Sequence, residues 1–150
     1  YDIFYQVVVE LWDAFKKSNI SHALREKQTG QFMAVTLYTV DPIERGLDLE
    51  AIVNKIPNIA PMAILLELIE KPMKDLVQSL PGKNAYGWFL GVDQNLNVEE
   101  TIRVMKLLDE ADIAAAKKRG ISRICTTAIH PVTQVFYHLF SCLFITFGIL

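Results

Sequence analysis

The stretch that most restricts the fold is "WFLGVDQNLNVEETIRVMKLLDEADIAAAKKRGISRICTTAI", from Trp88 to Ile129. It reads as an apolar run, a short polar loop, an amphipathic helix, a glycine and a second apolar run. Val104, Leu107, Leu108, Ala111, Ala114 and Ala115 fall on one helical face, with charges on the other. Asn97 suits the N-cap, and Glu100 is spaced to complete a capping box. Lys117, Lys118 and Arg119 before Gly120 suit the negative end of the helix dipole. A strand, helix and strand of this length form a right-handed crossover, which sets the two strands parallel. The chain therefore belongs to a class that mixes helices with a sheet.

The remaining segments supply more elements. "IFYQVVVELWDAFKKS" places Phe4, Val8, Leu11, Trp12 and Phe15 at helical spacing, predicting an N-terminal helix. "ISHALREKQTGQFMAVTLYTV" predicts a hairpin turning at Lys27-Gln28-Thr29-Gly30, where glycine supplies the positive φ of a tight turn. Pro42 is expected to end its second strand, and Pro81-Gly82 marks a later turn. "LDLEAIVNKI" and "PMAILLELIEKPMKDLVQSL" are helical in pattern, the second broken at Pro72, since proline lacks the donor N–H. "NAYGWFLGVD" is nearly continuous in apolar residues, as strands buried on both faces are.

Charge and cysteine content narrow the function. Seventeen acidic residues against fifteen basic ones give a net charge of −2, which argues against a nucleic-acid surface built on counterion release. Cys125 and Cys142 sit in apolar runs without metal-ligand spacing. A reduced, cytoplasmic setting without a bound metal is the expectation. A chain of 150 residues that opens on Tyr1 and closes within an apolar run is expected to be a fragment or an altered product of one domain.

"SHALREKQTGQFMAVTL", the strand-loop-helix from Trp88 to Gly120, and "ISRICTTAIHPVTQ" occur in the order of the GNAT N-acetyltransferases. The chain resembles that superfamily over residues 3 to 135, nearest its arylalkylamine N-acetyltransferase-like branch. The resemblance implies a mixed, mostly antiparallel sheet flanked by helices, with a central β-α-β crossover and a splayed strand pair. It divides the chain into an incomplete domain over residues 1–134 and an apolar tail over 135–150 that replaces the closing strands.

What the resemblance implies for a site is specific. Leu90, Gly91, Val92 and Asp93 would pair with the pantetheine arm of acetyl-CoA. Gln94, Asn95, Leu96, Asn97, Val98 and Thr101 would form the loop and helix start that hold its pyrophosphate, where the helix dipole favours an anion. The loop lacks the family's glycines, and Glu99 and Glu100 put carboxylates beside that anion site. Tyr86 lies where some members place a catalytic base, and His130 before Pro131 where a residue can face the thioester. Each also has a plainer reading: a packed strand tyrosine and a helix cap. The branch's glutamate is missing from "FKKSNI". His22, His138, Glu67 and Glu70 are given no role, the two glutamates being explained by solvation.

Two functions stay open on this reading. One is an acetyl-CoA-dependent N-acetyltransferase acting on a small amine by direct attack on the thioester. The other is a catalytically inactive GNAT-like binding or structural domain. "VFYHLFSCLFITFGIL" is apolar but shorter than the about 20 residues a membrane span needs, so a membrane contact through the tail is disfavoured but open.

Overall fold

The computed structural model describes residues 2–40 and 49–128. Helix α1 spans Asp2–Ser18 and is followed by strands β1 (His22–Arg25) and β2 (Phe32–Val40). Helix α2 (Leu49–Lys55), a 3-10 turn (Pro57–Ile59) and helix α3 (Ala60–Gln78) lead into strand β3 (Lys83–Val92). Helix α4 (Val98–Lys118) and strand β4 (Ile121–Thr126) complete the order. The sheet runs β1-β2-β3-β4. Its first two pairings are antiparallel and the β3–β4 pairing is parallel, as the crossover requires. The mixed, mostly antiparallel sheet flanked by helices agrees with the expectation.

The hairpin turns as its sequence dictates. Gly30 adopts φ 73°, and its N–H donates to Glu26 O while the Glu26 N–H donates to Gln31 O, both at 2.8 Å. Helix α4 begins on the expected capping box: Glu100 N–H donates to Asn97 Oδ1 and Asn97 N–H to Glu100 Oε2, each at 3.0 Å. It ends before Gly120, whose φ is 66°.

Helices cover both faces of the sheet. Val7, Leu11 and Phe15 of α1 pack with Ile52 of α2 and with Ile56 and Ile59 against one face, where Leu37, Trp88 and Phe89 meet them. On the other face Val104 and Leu108 of α4 pack with Ala34, and Ala116 packs with Tyr38 and Ala85. Fully burying a side chain such as Leu108 contributes about 1.5–3 kcal/mol. Gly87 permits the close approach of β2, because a Cβ there would lie 2.8 Å from Tyr38 Cε1.

Trp88 and Phe89 are adjacent in sequence yet face the same cluster. The register explains this: Leu37 lies opposite Phe89 while Tyr38 lies opposite Gly87, so Trp88 is an extra residue on β3. Such a bulge breaks the alternation of faces.

Several expectations are corrected. Helix α3 continues through Pro72. Proline forfeits the bond to the carbonyl four residues earlier, but Leu68 and Pro72 are both exposed, so water can serve that carbonyl. The buried stripe of α1 is Val7, Leu11, Phe15 and Ser18, whereas Phe4 and Trp12 are about half exposed (50% and 49%). The buried face of α4 is Val104, Met105, Leu108, Asp112 and Ala116, with Leu107 and Ala114 outside it. Pro42, Cys142, His130 and the tail over 135–150 lie outside the described residues. Among the described residues no helix is long and apolar enough to cross a membrane.

Candidate functional site

Strand β3 outruns its parallel neighbour. Its pairing with β4 extends from Lys83 opposite Ile121 to Gly87 opposite Thr126, and β3 continues to Val92 while β4 ends. The pairing stops where β4 ends, and three polar side chains gather there. The Tyr86 hydroxyl donates to Glu70 Oε1, Thr127 Oγ1 donates to the same oxygen at 2.8 Å, and the Tyr86 and Thr127 hydroxyls lie 3.2 Å apart. Both Tyr86 and Glu70 are buried, at 6% exposure each.

Each neighbour is held by the element that carries it. Tyr86 lies on β3 opposite Thr39 of β2 and Cys125 of β4. Glu70 comes from the middle of α3, seven residues after buried Ala63 and seven before buried Val77. The Trp88 ring meets the Tyr86 ring edge to face at 5.1 Å, and its indole N–H donates to Thr39 Oγ1 at 2.9 Å. Thr126 Oγ1 donates to Gly87 O at 3.0 Å, at the last rung of the pairing. The arrangement is a buried carboxylate served by two hydroxyls and walled by aromatic rings. Chemically, it can accept a proton through oxygen and offer hydroxyl donors to a polarised oxygen.

Of the candidates named from sequence, Tyr86 lies in this cluster, and Glu70, which sequence reasoning left to solvent, is its centre. The signal for Glu70 was its place on the helix stripe of Ala63 and Val77, masked by its charge. Cys125 is a half-buried free thiol, pushed above its ordinary pKa by burial, and so is a poor nucleophile at neutral pH.

The strand and loop residues lie further along β3. Leu90, Val92 and Leu96 pack towards α4. A Cβ at Gly91 would lie 3.3 Å from Val35 Cγ1. Asp93 organises the turn: its Oδ1 accepts from Asn95 N–H and from Asn95 Nδ2 at 2.9 Å, and its Oδ2 accepts from Gln31 Nε2 at 2.8 Å. Leu96 N–H donates to Asp93 O at 3.2 Å, and Thr101 N–H to Asn97 O at 2.9 Å. Gln94, Asn95, Asn97 and Val98 are exposed. The amides of Asn95, Leu96 and Asn97 are thus engaged by the loop's own groups, so an anion such as a coenzyme phosphate would have to displace those bonds.

A second buried carboxylate lies on the α4 face. Asp112 Oδ1 accepts from Thr36 Oγ1 at 3.1 Å and lies 2.6 Å from His22 Nδ1. Its Oδ2 is buried with no hydrogen-bond partner among the described residues. Burial pushes the Asp112 carboxyl above its ordinary pKa, outweighing the hydrogen bonds from His22 and Thr36 and the nearby Tyr38 hydroxyl. Sequence reasoning gave His22 no role, and the Asp112 contact is a partner it did not foresee. The spacing of Asp112, four residues after Leu108 and four before Ala116, would have placed it on the buried stripe.

The structure resembles a solved one described as the C-terminal condensation domain of Ebony in complex with beta-alanyl-dopamine, with a TM-score of 0.74 at 18% identity. The likeness covers 93% of this chain and 63% of that one, so the chain spans under two thirds of the solved domain's length. At this identity the likeness is one of fold. No protein-family model matches the sequence, and no curated protein does. These findings correct the GNAT assignment: the structural neighbour is described as a condensation domain, and nothing found supports an acetyltransferase, its arylalkylamine branch or an acetyl-CoA-dependent activity. The reading as an inactive GNAT-like module has no support either. The order of strand, loop and helix is a property of architecture and does not by itself fix an activity.

Proposed function

We propose that the chain is a condensation-type domain, joining an activated acyl group to a small aromatic amine as an amide. The carrying observation is the buried Glu70 carboxylate at the end of the β3–β4 pairing, hydrogen-bonded by Tyr86 and Thr127, with Trp88 against the Tyr86 ring. The fold likeness supports the same reading, because the solved neighbour holds beta-alanyl-dopamine, an amide of an amino acid with an aromatic amine.

Amide formation needs the amine as a free base, so a group must take its proton. We assign that role to Glu70. The amine nitrogen forms a bond to the acyl carbon, the bond from that carbon to its leaving group breaks, and the proton passes to the Glu70 carboxylate. The Tyr86 hydroxyl, already donating to Glu70, returns a proton to the leaving group and is reprotonated by Glu70. Trp88, half-buried against the Tyr86 ring, offers an aromatic surface to a flat amine, a contact worth about 0.5–1.5 kcal/mol.

The test is amide formation from a β-alanyl thioester and dopamine, followed by mass spectrometry with the unaltered chain and Glu70→Gln. The variant should fall by about 100-fold or more, the range of a lost general base, with its circular dichroism unchanged. Equal rates in the two proteins, or no amide from the unaltered chain across a panel of aromatic amines, would overturn the reading.

A further inference from the structure

His22 and Asp112 lie on the opposite face of the sheet from Glu70 and take no part in the proposed transfer. His22 stands on β1, a four-residue strand at the sheet edge. Its side chain is 35% exposed, while that of Asp112 on α4 is 2% exposed. A half-open imidazole thus reaches across to a carboxylate sealed from water, linking the edge strand to the helix. We propose that this pair is a proton-operated latch, clamping β1 onto α4 in acid and loosening it as pH rises.

The unserved Oδ2 is what makes the link sensitive to protons. With an imidazolium beside the carboxylate, or with the carboxyl protonated, the pair carries no net charge. Once the last shared proton leaves, a single anion remains in a buried site with one oxygen lacking a donor, which is costly. That cost is relieved if β1 moves away and water reaches Asp112.

The other facing groups reduce the penalty without removing it. From strand β2 the Thr36 hydroxyl and the Tyr38 phenol favour the carboxylate, but burial outweighs them. On α4 itself Asp109 is half-buried, its carboxyl pushed up by burial and then by the charges of Asp112 and Glu110, so it adds negative charge. Ser21, beside His22, has its hydroxyl accepting from Tyr38 N–H at 2.9 Å. His22 is the basic group that faces Asp112 among the described residues.

The experiment is hydrogen exchange of the His22–Arg25 amides, read by mass spectrometry at about pH 4.5 and about pH 8.5, a range that spans the ordinary carboxylate and imidazole titrations, with correction for the intrinsic rate. Protection of β1 should fall about tenfold or more between the two, the equilibrium equivalent of one linked pK unit, and Asp112→Asn should abolish the fall. Equal protection at both pH values, or the same fall in the variant, overturns the latch. Should the variant not fold, NMR of the unaltered chain decides: the Asp112 Cγ signal and the β1 amide signals should shift over the same pH range, and amides that stay unmoved while Asp112 titrates refute the coupling.

Discussion

Glu70 and Asp112 are both carboxylates buried in helices, one on each face of the same sheet, and their surroundings differ in kind. On Glu70 one oxygen receives two neutral hydroxyls, from Tyr86 and Thr127. On Asp112 one oxygen receives a hydroxyl and faces an imidazole, and the other receives nothing among the described residues. A hydroxyl can donate to a carboxylate or accept from a carboxylic acid, so it can serve either form. An ion pair with a bare oxygen is stable in one state of protonation and strained in the next. Burial alone therefore says little about what an acid does; its donors decide.

Removing partners should separate the two sites most. His22→Ala strands Asp112 and should lower stability in urea unfolding near neutral pH by about 1–3 kcal/mol, the cost of an unserved buried polar group. Glu70→Gln keeps an acceptor oxygen for both hydroxyls and should cost about 0.5 kcal/mol, within the net worth of one hydrogen bond. Losses of equal size would erase the distinction.

Deleting one hydroxyl at each site is a milder comparison. Tyr86→Phe leaves Thr127 on Glu70 and should cost about 0.5–1 kcal/mol, whereas Thr36→Val leaves Asp112 with His22 and should fall near 1.5 kcal/mol. The same unfolding measurement checks the order, and a reversal would make Glu70 the more exacting site.

The finest comparison concerns a sign. Asp112 has its carboxyl raised above the ordinary value of 3.8, so the folded chain holds that proton more tightly than the unfolded one. Its contribution to stability is fully present below that value and is lost as pH rises through the folded one. The stability of the unaltered chain minus that of Asp112→Asn should therefore decline as pH increases from about 4, the ordinary aspartate range. A difference that grows instead would mean the native state favours the anion.

Much of the architecture was legible because it rests on local chemistry. The hairpin follows from Gly30, the start of α4 from Asn97 and Glu100, and the parallel pair from the length of the crossover. The helix faces were less legible, since apolar residues show that a helix is two-sided but its neighbours settle which stripe is buried. Trp12 and Leu107 carry apolar side chains outward, and Asp112 and Glu70 carry acids inward. The site was the least legible part. Tyr86 and Glu70 are separated by a turn and belong to different elements, so their meeting depends on how α3 lies on the sheet. No spacing in the sequence encodes that angle.

The extra residue at Trp88 has a consequence for how β3 can vary. Counting along the strand, the residues before the bulge and those after it keep opposite parity: Ala85 faces α4 at an odd position, Leu90 and Val92 at even ones. Loss of a single residue at the bulge would restore plain alternation only by sliding everything beyond it along β2 or turning it over. An exchange of side chain at Trp88 spares that count, whereas an insertion or deletion does not. Strand β3 should therefore tolerate substitutions far better than changes of length, and homologous chains that keep this core should keep the interval from Tyr86 to Asp93.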